Sequence, residues 1–244
     1  MPLESLPWVA AIILFAYCIR GITGFGSGLI AVPLLAHLLP LQLVVPFVLM
    51  LDFSASATLG GRFRAHIQWK EIGPLLPAAA AGILLGVGLL LRLPRSSLLT
   101  ALGAFVLVFG LRNLIKFHGN RPISRLWALP AGFAAGTIGA MFGTGGPPYI
   151  IYLSHRLQDK SAMRATFSGL FILDGGFRLL AFLAAGLLLQ AGMGRLLLLG
   201  FPLMALGLFL GHRVHGAMSS RHMLRLIGLL LTLTGASLLW SAWR

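Results

Sequence analysis

Eight stretches of this chain are apolar over lengths that match a lipid bilayer, and clusters of glycine interrupt two of them. The stretches are Trp8–Leu38, Leu41–Leu59, Gly73–Leu91, Leu98–Ile115, Leu126–Leu153, Ala165–Gln190, Leu196–Gly211 and Leu224–Ser241. About 20 helical residues cross a hydrocarbon core ~30 Å thick. A helix on the surface of a soluble domain would carry a polar face along its whole length, and these segments have none. Of 244 residues, 58% are hydrophobic and only 10% charged, against roughly a quarter charged in ordinary globular domains. The fold class expected is an all-α polytopic membrane protein, a single integral membrane domain over residues 1–244.

The net charge of +14 would suggest nucleic acid in a soluble chain. Here the basic residues sit in short loops between apolar runs, where they set membrane orientation, and no basic stripe with interleaved aromatics occurs. Nucleic acid is therefore not an expected partner; the lipid bilayer is. The one cysteine, Cys18, excludes an internal disulfide and a thiolate metal cluster; it reads as a buried structural thiol. No Lys or Arg precedes the first apolar run, so a cleaved secretory signal is not expected and the N-terminus should be retained.

The first interrupted segment carries Gly21, Gly24, Gly26 and Gly28, then Pro33; the fifth carries Gly136, Gly139, Gly143, Gly145 and Gly146, then Pro147 and Pro148. Such clusters do not continue a straight helix. Gly21, Gly24, Gly28 and Pro33 map onto Gly136, Gly139, Gly143 and Pro148 at a constant offset of 115. Asp52 maps onto Asp174 at 122, and Pro77, Gly82, Gly86, Gly103 and Gly110 map onto Pro202, Gly207, Gly211, Gly228 and Gly235 at 125. The ordered series marks two internal repeats, residues 1–118 and 119–244.

Charge then separates two topologies. If both interrupted segments cross the membrane, nine basic residues fall on one face and eight on the other. If each is a re-entrant hairpin followed by three transmembrane helices, the second repeat is inverted. Arg62, Arg64, Lys70, Arg112, Lys116, Arg121, Arg125, Arg156, Lys160, Arg164, Arg213, Arg221 and Arg225 then share one face, and Arg92, Arg95, Arg195 and Arg244 the other. Thirteen against four fits the positive-inside rule. It predicts a cytoplasmic thirteen-charge face and both termini outside the cell membrane. The first leg, Trp8–Arg20, would span ~20 Å, short of a full crossing. Trp8, Trp69, Trp127, Trp240 and Trp243 fall at segment ends, as interfacial anchors should.

Irregular backbone at membrane depth persists only where protein buries it or where water and substrate reach it. Inverted repeats with interrupted helices are a recurring plan of secondary transporters. Helices that restart after the glycines present N–H groups and a partial positive charge, which suit an anion. Close helix packing by small residues is the competing explanation for the glycines, though Pro147-Pro148 argues for a real interruption. A dinucleotide fingerprint fails, because the spacing is incomplete and no strand–helix unit surrounds it.

The patterns Gly21-x-x-Gly24-x-Gly26-x-Gly28-x4-Pro33 and Gly136-x-x-Gly139-x3-Gly143-x-Gly145-Gly146-Pro147-Pro148 resemble the sulfite exporter TauE/SafE family of membrane transporters. The resemblance spans both repeats, with Ser27 and Leu29-Ile30 where the family pattern is richer in glycine. It implies two related halves and outward movement of sulfite, sulfonates or other small organic anions.

The binding residues expected are Arg20, Gly21, Thr23, Gly24, Gly26, Ser27, Gly28, Gly139, Gly143, Thr144, Gly145 and Gly146. Arg20 supplies fixed positive charge before the first break, while snorkelling or neutralising Asp52 are its other uses. Asp52 and Asp174, costly at mid-span, are proton-coupling candidates. Asp174 and Arg178 lie four apart and can pair on one helical face as a structural ion pair, leaving Asp52, which has Ser56 in the corresponding place, as the better candidate; the alternative is that both acids only hydrogen-bond neighbouring helices. His212, His215 and His222 read as loop residues rather than metal ligands, and His37 and His155 as residues near the hairpin exits. No metal or cofactor is expected, and no catalysis. Ser27-Gly28 and Ser168-Gly169 lack the preceding glycine of a nucleophile turn, and no histidine sits clearly at mid-span as base. A passive anion channel is the main rival to a carrier.

Overall fold

In the computed structural model, residues 5–24, 26–59, 66–114, 123–214 and 220–243 are described. Phe25, Arg62, Arg64, Lys116, Arg121, His215 and Arg244 lie outside them, and so do the side chains of Lys160, Arg164, Arg221, His222 and Arg225. The described residues form helices α1 (Leu6–Thr23), α2 (Ser27–Leu35), α3 (Leu41–Leu59), α4 (Trp69–Arg92), α5 (Arg95–Leu114), α6 (Ala128–Phe142), α7 (Gly146–Arg156), α8 (Lys160–Ala184), α9 (Met193–Val214) and α10 (Ser220–Ala242). Among them, five are long and apolar enough to cross a bilayer, and α3 and α10 contain shorter apolar helices. Each of the eight apolar stretches corresponds to one helix or, at the two glycine clusters, to a broken pair. The five tryptophans are all exposed, at or near helix ends. Large apolar residues such as Leu84, Val108, Leu180 and Leu198 also face outward, the pattern of a protein whose solvent is lipid.

The helices form two compact units, and neither is a sequence half. One takes Met1–Leu51, Leu93–His118 and Gln190–Arg244; the other takes Asp52–Arg92 and Gly119–Leu189. In the second unit α4 and α6 run parallel and in close contact. A Cβ on Gly82 would land on the carbonyl oxygen of Phe133, and one on Gly86 would lie 2.6 Å from that of Thr137. The first unit repeats this with α9 and α1: Gly207 faces the Leu14 carbonyl and Gly211 that of Cys18. Also in the first unit, α5 and α10 pack antiparallel, with Gly103 against Gly235 and Gly110 against Gly228 and Thr232. Small residues let these backbones approach where no side chain would fit.

Both glycine clusters are interrupted, but later than the sequence suggests. Helix α1 runs 18 residues to Thr23, ~27 Å at 1.5 Å per residue, instead of stopping at Arg20. Gly21 and Gly136 are helical and packed against Leu208 of α9 and Ala79 of α4 respectively, and Gly139 is likewise inside α6. The packing explanation therefore holds for these three. The terminators are Gly24 (φ 82°) and Gly143 (φ 68°), left-handed caps whose N–H groups close onto the carbonyls of Arg20 and Gly139. That conformation favours glycine, because a Cβ would crowd the backbone.

Matching the two caps gives an offset of 119, not 115. The same offset carries Phe133 onto Leu14 and Thr137 onto Cys18, the carbonyls that face the α4 and α9 glycines. The error is one helical turn. Glycines spaced four apart remain on the same face after such a shift, so their spacing alone could not fix the register.

Candidate functional site

Each break is followed by a short helix with no side-chain cap, α2 of 9 residues and α7 of 11. At ~14 and ~16 Å neither crosses a bilayer. Their N-termini differ. Helix α2 opens with Ser27, Gly28 and Leu29, each bearing an N–H. Helix α7 opens with Gly146, Pro147 and Pro148, of which only Gly146 has one.

At the first break the Arg20 side chain turns back over the α1 cap, and its Nη1 donates to Ser27 Oγ at 3.0 Å. Arg20 is 6% exposed and Ser27 fully buried. This places a guanidinium at the N-terminus of α2, where charge and helix dipole have the same sign. Gly24 and Gly26 shape the turn, both at positive φ, and Gly28 is buried in the first turn of α2. Thr23 donates its hydroxyl proton to the Ile19 carbonyl at 2.8 Å, the self-capping habit of membrane threonines. Gly21 faces α9. The structure thus gathers Arg20, Gly24, Gly26, Ser27 and Gly28, and turns Gly21 and Thr23 to packing.

The second break lies in the other unit. Thr144, between the Gly143 cap and the α7 N-cap Gly145, is 4% exposed, and its Oγ1 has no hydrogen-bond partner among the described residues. Gly145 folds back onto α6, against Ala135 and Gly139. The predicted Asp174–Arg178 pair forms, with Oδ2 to Nη2 at 2.7 Å and both side chains 1% exposed. It is joined to the break. Arg178 Nη1 donates to the Gly139 carbonyl at 3.2 Å, and Tyr149 of α7 donates to Asp174 Oδ1 at 2.8 Å. Asp52, in α3, is 4% exposed, and Ser56 donates to its backbone carbonyl at 2.9 Å.

Glu71, Tyr149 and Tyr152 escaped the sequence reading. Glu71, 5% exposed in the first turn of α4, accepts from Tyr152 at 2.7 Å, twice from Arg156 at 2.9 and 3.1 Å, and from Arg125 at 3.2 Å. Arg156 also donates to the Ile123 carbonyl at 3.0 Å. The chain therefore enters α6 and leaves α7 at one end of the unit, with α4 starting beside both. The available signal was Glu71's scarcity value, as one of only five acidic residues in the chain.

Among the histidines, His37 sits in the turn after α2; burial and then the Arg95 guanidinium push its imidazole below the ordinary value. His155 Nδ1 lies 2.8 Å from the Ile151 carbonyl; His212 and His222, expected in a loop, are helical instead, His212 exposed in the last turn of α9 and His222 in the first turn of α10.

Long apolar helices, two interrupted ones and buried charge beside the interruptions define an integral membrane transporter. Residues 9–238 match the family described as Sulfite exporter TauE/SafE, and the chain belongs to that family. It is 30% identical over 200 residues to the "Probable inner membrane transporter protein TsaS" of Comamonas testosteroni, covering 81% of this chain and 83% of that protein. No solved structure matches significantly.

Proposed function

We propose that the protein is a secondary transporter of the inner (plasma) membrane that exports a small anion, either sulfite, a sulfonate or a related organic anion. The observation that carries this is Arg20, a buried cation bonded across the first break to the opening residue of α2. Positive charge and uncapped N–H groups at one point attract an oxyanion and fit its geometry. At the second break Thr144, Gly145 and Gly146 offer a hydroxyl and backbone donors, with Gly143 shaping the turn and Gly139, inside α6, leaving room for Gly145. The TauE/SafE relationship supports the substrate class and outward direction, and the TsaS likeness supports the inner membrane.

In this reading, residues 1–118 and 119–244 are repeats of opposite orientation, each a re-entrant hairpin plus three spans, with both termini outside. Supporting it, α5 and α10, equivalent helices of the two repeats, run antiparallel, and their glycine contacts exchange as a two-fold axis requires. The meeting of Ile123 and Arg156 supports a segment that returns to the face it left. Proton coupling needs a buried carboxylate, and Asp52 and Asp174 are the candidates.

Reconstitution into vesicles with sulfite, sulfate, sulfonates and carboxylates, with and without a pH gradient, tests this. Saturable, gradient-driven uphill flux of one anion class is expected, falling about tenfold or more in Arg20→Gln with loss of a charge-assisted contact. Strictly downhill flux would make the protein a channel. Flux of no anion overturns the reading.

A further inference from the structure

We propose that Arg178 and Asp174 form an exchangeable pair at the second break: an arriving anion takes over Arg178, and the released Asp174 carboxylate takes one proton from water. The proposal deepens the anion reading of the breaks and rests on it.

The geometry differs from that of a purely structural ion pair. A Cβ on Gly139 would lie 3.3 Å from Arg178 Nη1 and 3.4 Å from the backbone nitrogen of Gly145, so the guanidinium stands beside the α7 N-cap. It is held by Asp174 Oδ2, the Gly139 carbonyl and the Phe171 ring, whose centroid is 5.7 Å away. Its Nε, fully buried, has no hydrogen-bond partner among the described residues. Asp174 Oδ2 approaches Nη2 closely, yet off the line of a hydrogen bond. Thr144 Oγ1 is the second orphan at this break. Buried polar atoms are ordinarily satisfied, and two unpaired donors beside one uncapped helix start fit an oxyanion with several acceptor lone pairs.

Charge conservation gives the consequence. Before binding, the pair is neutral: one guanidinium and one carboxylate. With the anion on Arg178, the site would hold two negative charges against one guanidinium, and a buried net charge is costly. Taking a proton from solvent makes it a neutral acid that keeps its bond from Tyr149, and the site is neutral again. One proton therefore accompanies each negative charge, and the anion crosses as an electroneutral unit.

Among the described residues, the titratable groups bonded to Asp174 are Tyr149 from α7 and Arg178 from α8 itself; α3, whose Phe53 packs on Gly175, carries Asp52. On α4, also packed against α8, the charged residues Lys70, Glu71 and Arg92 lie at the helix ends, Glu71 in its own cluster. On α7 the others are Tyr152, His155 and Arg156, toward its far end, and α6 has none.

Calorimetric titration of the whole detergent-solubilised protein with methanesulfonate, which has no titratable proton near neutrality, tests the proposal in two buffers of different ionisation enthalpy. Wild type should take up one proton per anion, and its affinity should tighten up to tenfold for each unit of falling pH. Asp174→Asn should bind more tightly, because the competitor for Arg178 is gone, with no proton uptake. Thr144→Val, which removes only an unpartnered hydroxyl, should fold normally and bind about tenfold more weakly.

Binding by wild type without proton uptake, or at an affinity indifferent to pH, overturns the exchange while leaving the anion reading intact. Unchanged proton uptake in Asp174→Asn does the same. Failure of wild type to bind methanesulfonate or any anion of the vesicle panel overturns both.

Discussion

Gly82→Ala and Gly211→Ala should each lower thermal stability in detergent sharply, about 3 kcal/mol or more, while Gly88→Ala in the same helix as Gly82 should be neutral. A Cβ on Gly82 meets the Phe133 carbonyl of α6, and one on Gly211 meets the Cys18 carbonyl of α1. Core overpacking ordinarily costs about 1–3 kcal/mol because flexible side chains give way. Here the obstacle is backbone, so the two helices must separate along their length. At Gly88 a Cβ meets nothing within 4 Å among the described residues, and alanine is the better helix former. Melting curves of the three variants read this directly. A harmless Gly82→Ala would mean that α4 and α6 are not in backbone contact.

Glu71→Ala should be nearly as damaging, and for an electrostatic reason. The carboxylate binds Arg125, Arg156 and Tyr152, and so ties both ends of the α6–α7 segment to α4. Removing one member of a fully buried pair costs about 3–5 kcal/mol. Arg125 is 54% exposed and Arg156 23%, so solvent recovers part of that and about 2 kcal/mol is expected. Glu71→Gln, still able to accept from one partner, should lose less. If Arg156→Ala is added to Glu71→Ala, the pair of changes should cost less than their sum. Strict additivity in melting temperature would show that the cluster does not act as a unit.

The spans were legible because lipid enforces a simple rule: apolar residues in helices, with tryptophan and charge at the ends. Leu41–Leu59 is observed as read, and the other segments differ mainly at their ends. The breaks were legible as regions and not as residues. Gly21 and Gly139 look like breakers in sequence, yet close packing keeps them helical, and only the caps at Gly24 and Gly143 end the helices. The Asp174–Arg178 pair followed from helical spacing. Its link through Gly139 to the break did not, since it joins residues 39 positions apart. The Glu71 cluster was hidden for the same reason, its partners lying 54 to 85 positions away.

Two-sided labelling with a membrane-impermeant maleimide decides the central claim, that the second glycine break is the tip of a segment returning to the face it left. On a Cys18→Ser background, single cysteines at Ser124 and Gln158, both exposed, should react from the same, cytoplasmic side of sealed vesicles. A cysteine at Ser96, beyond the far end of α4, should react only from the opposite side. Labelling of positions 124 and 158 from opposite sides would make α6 and α7 one membrane crossing and contradict the account.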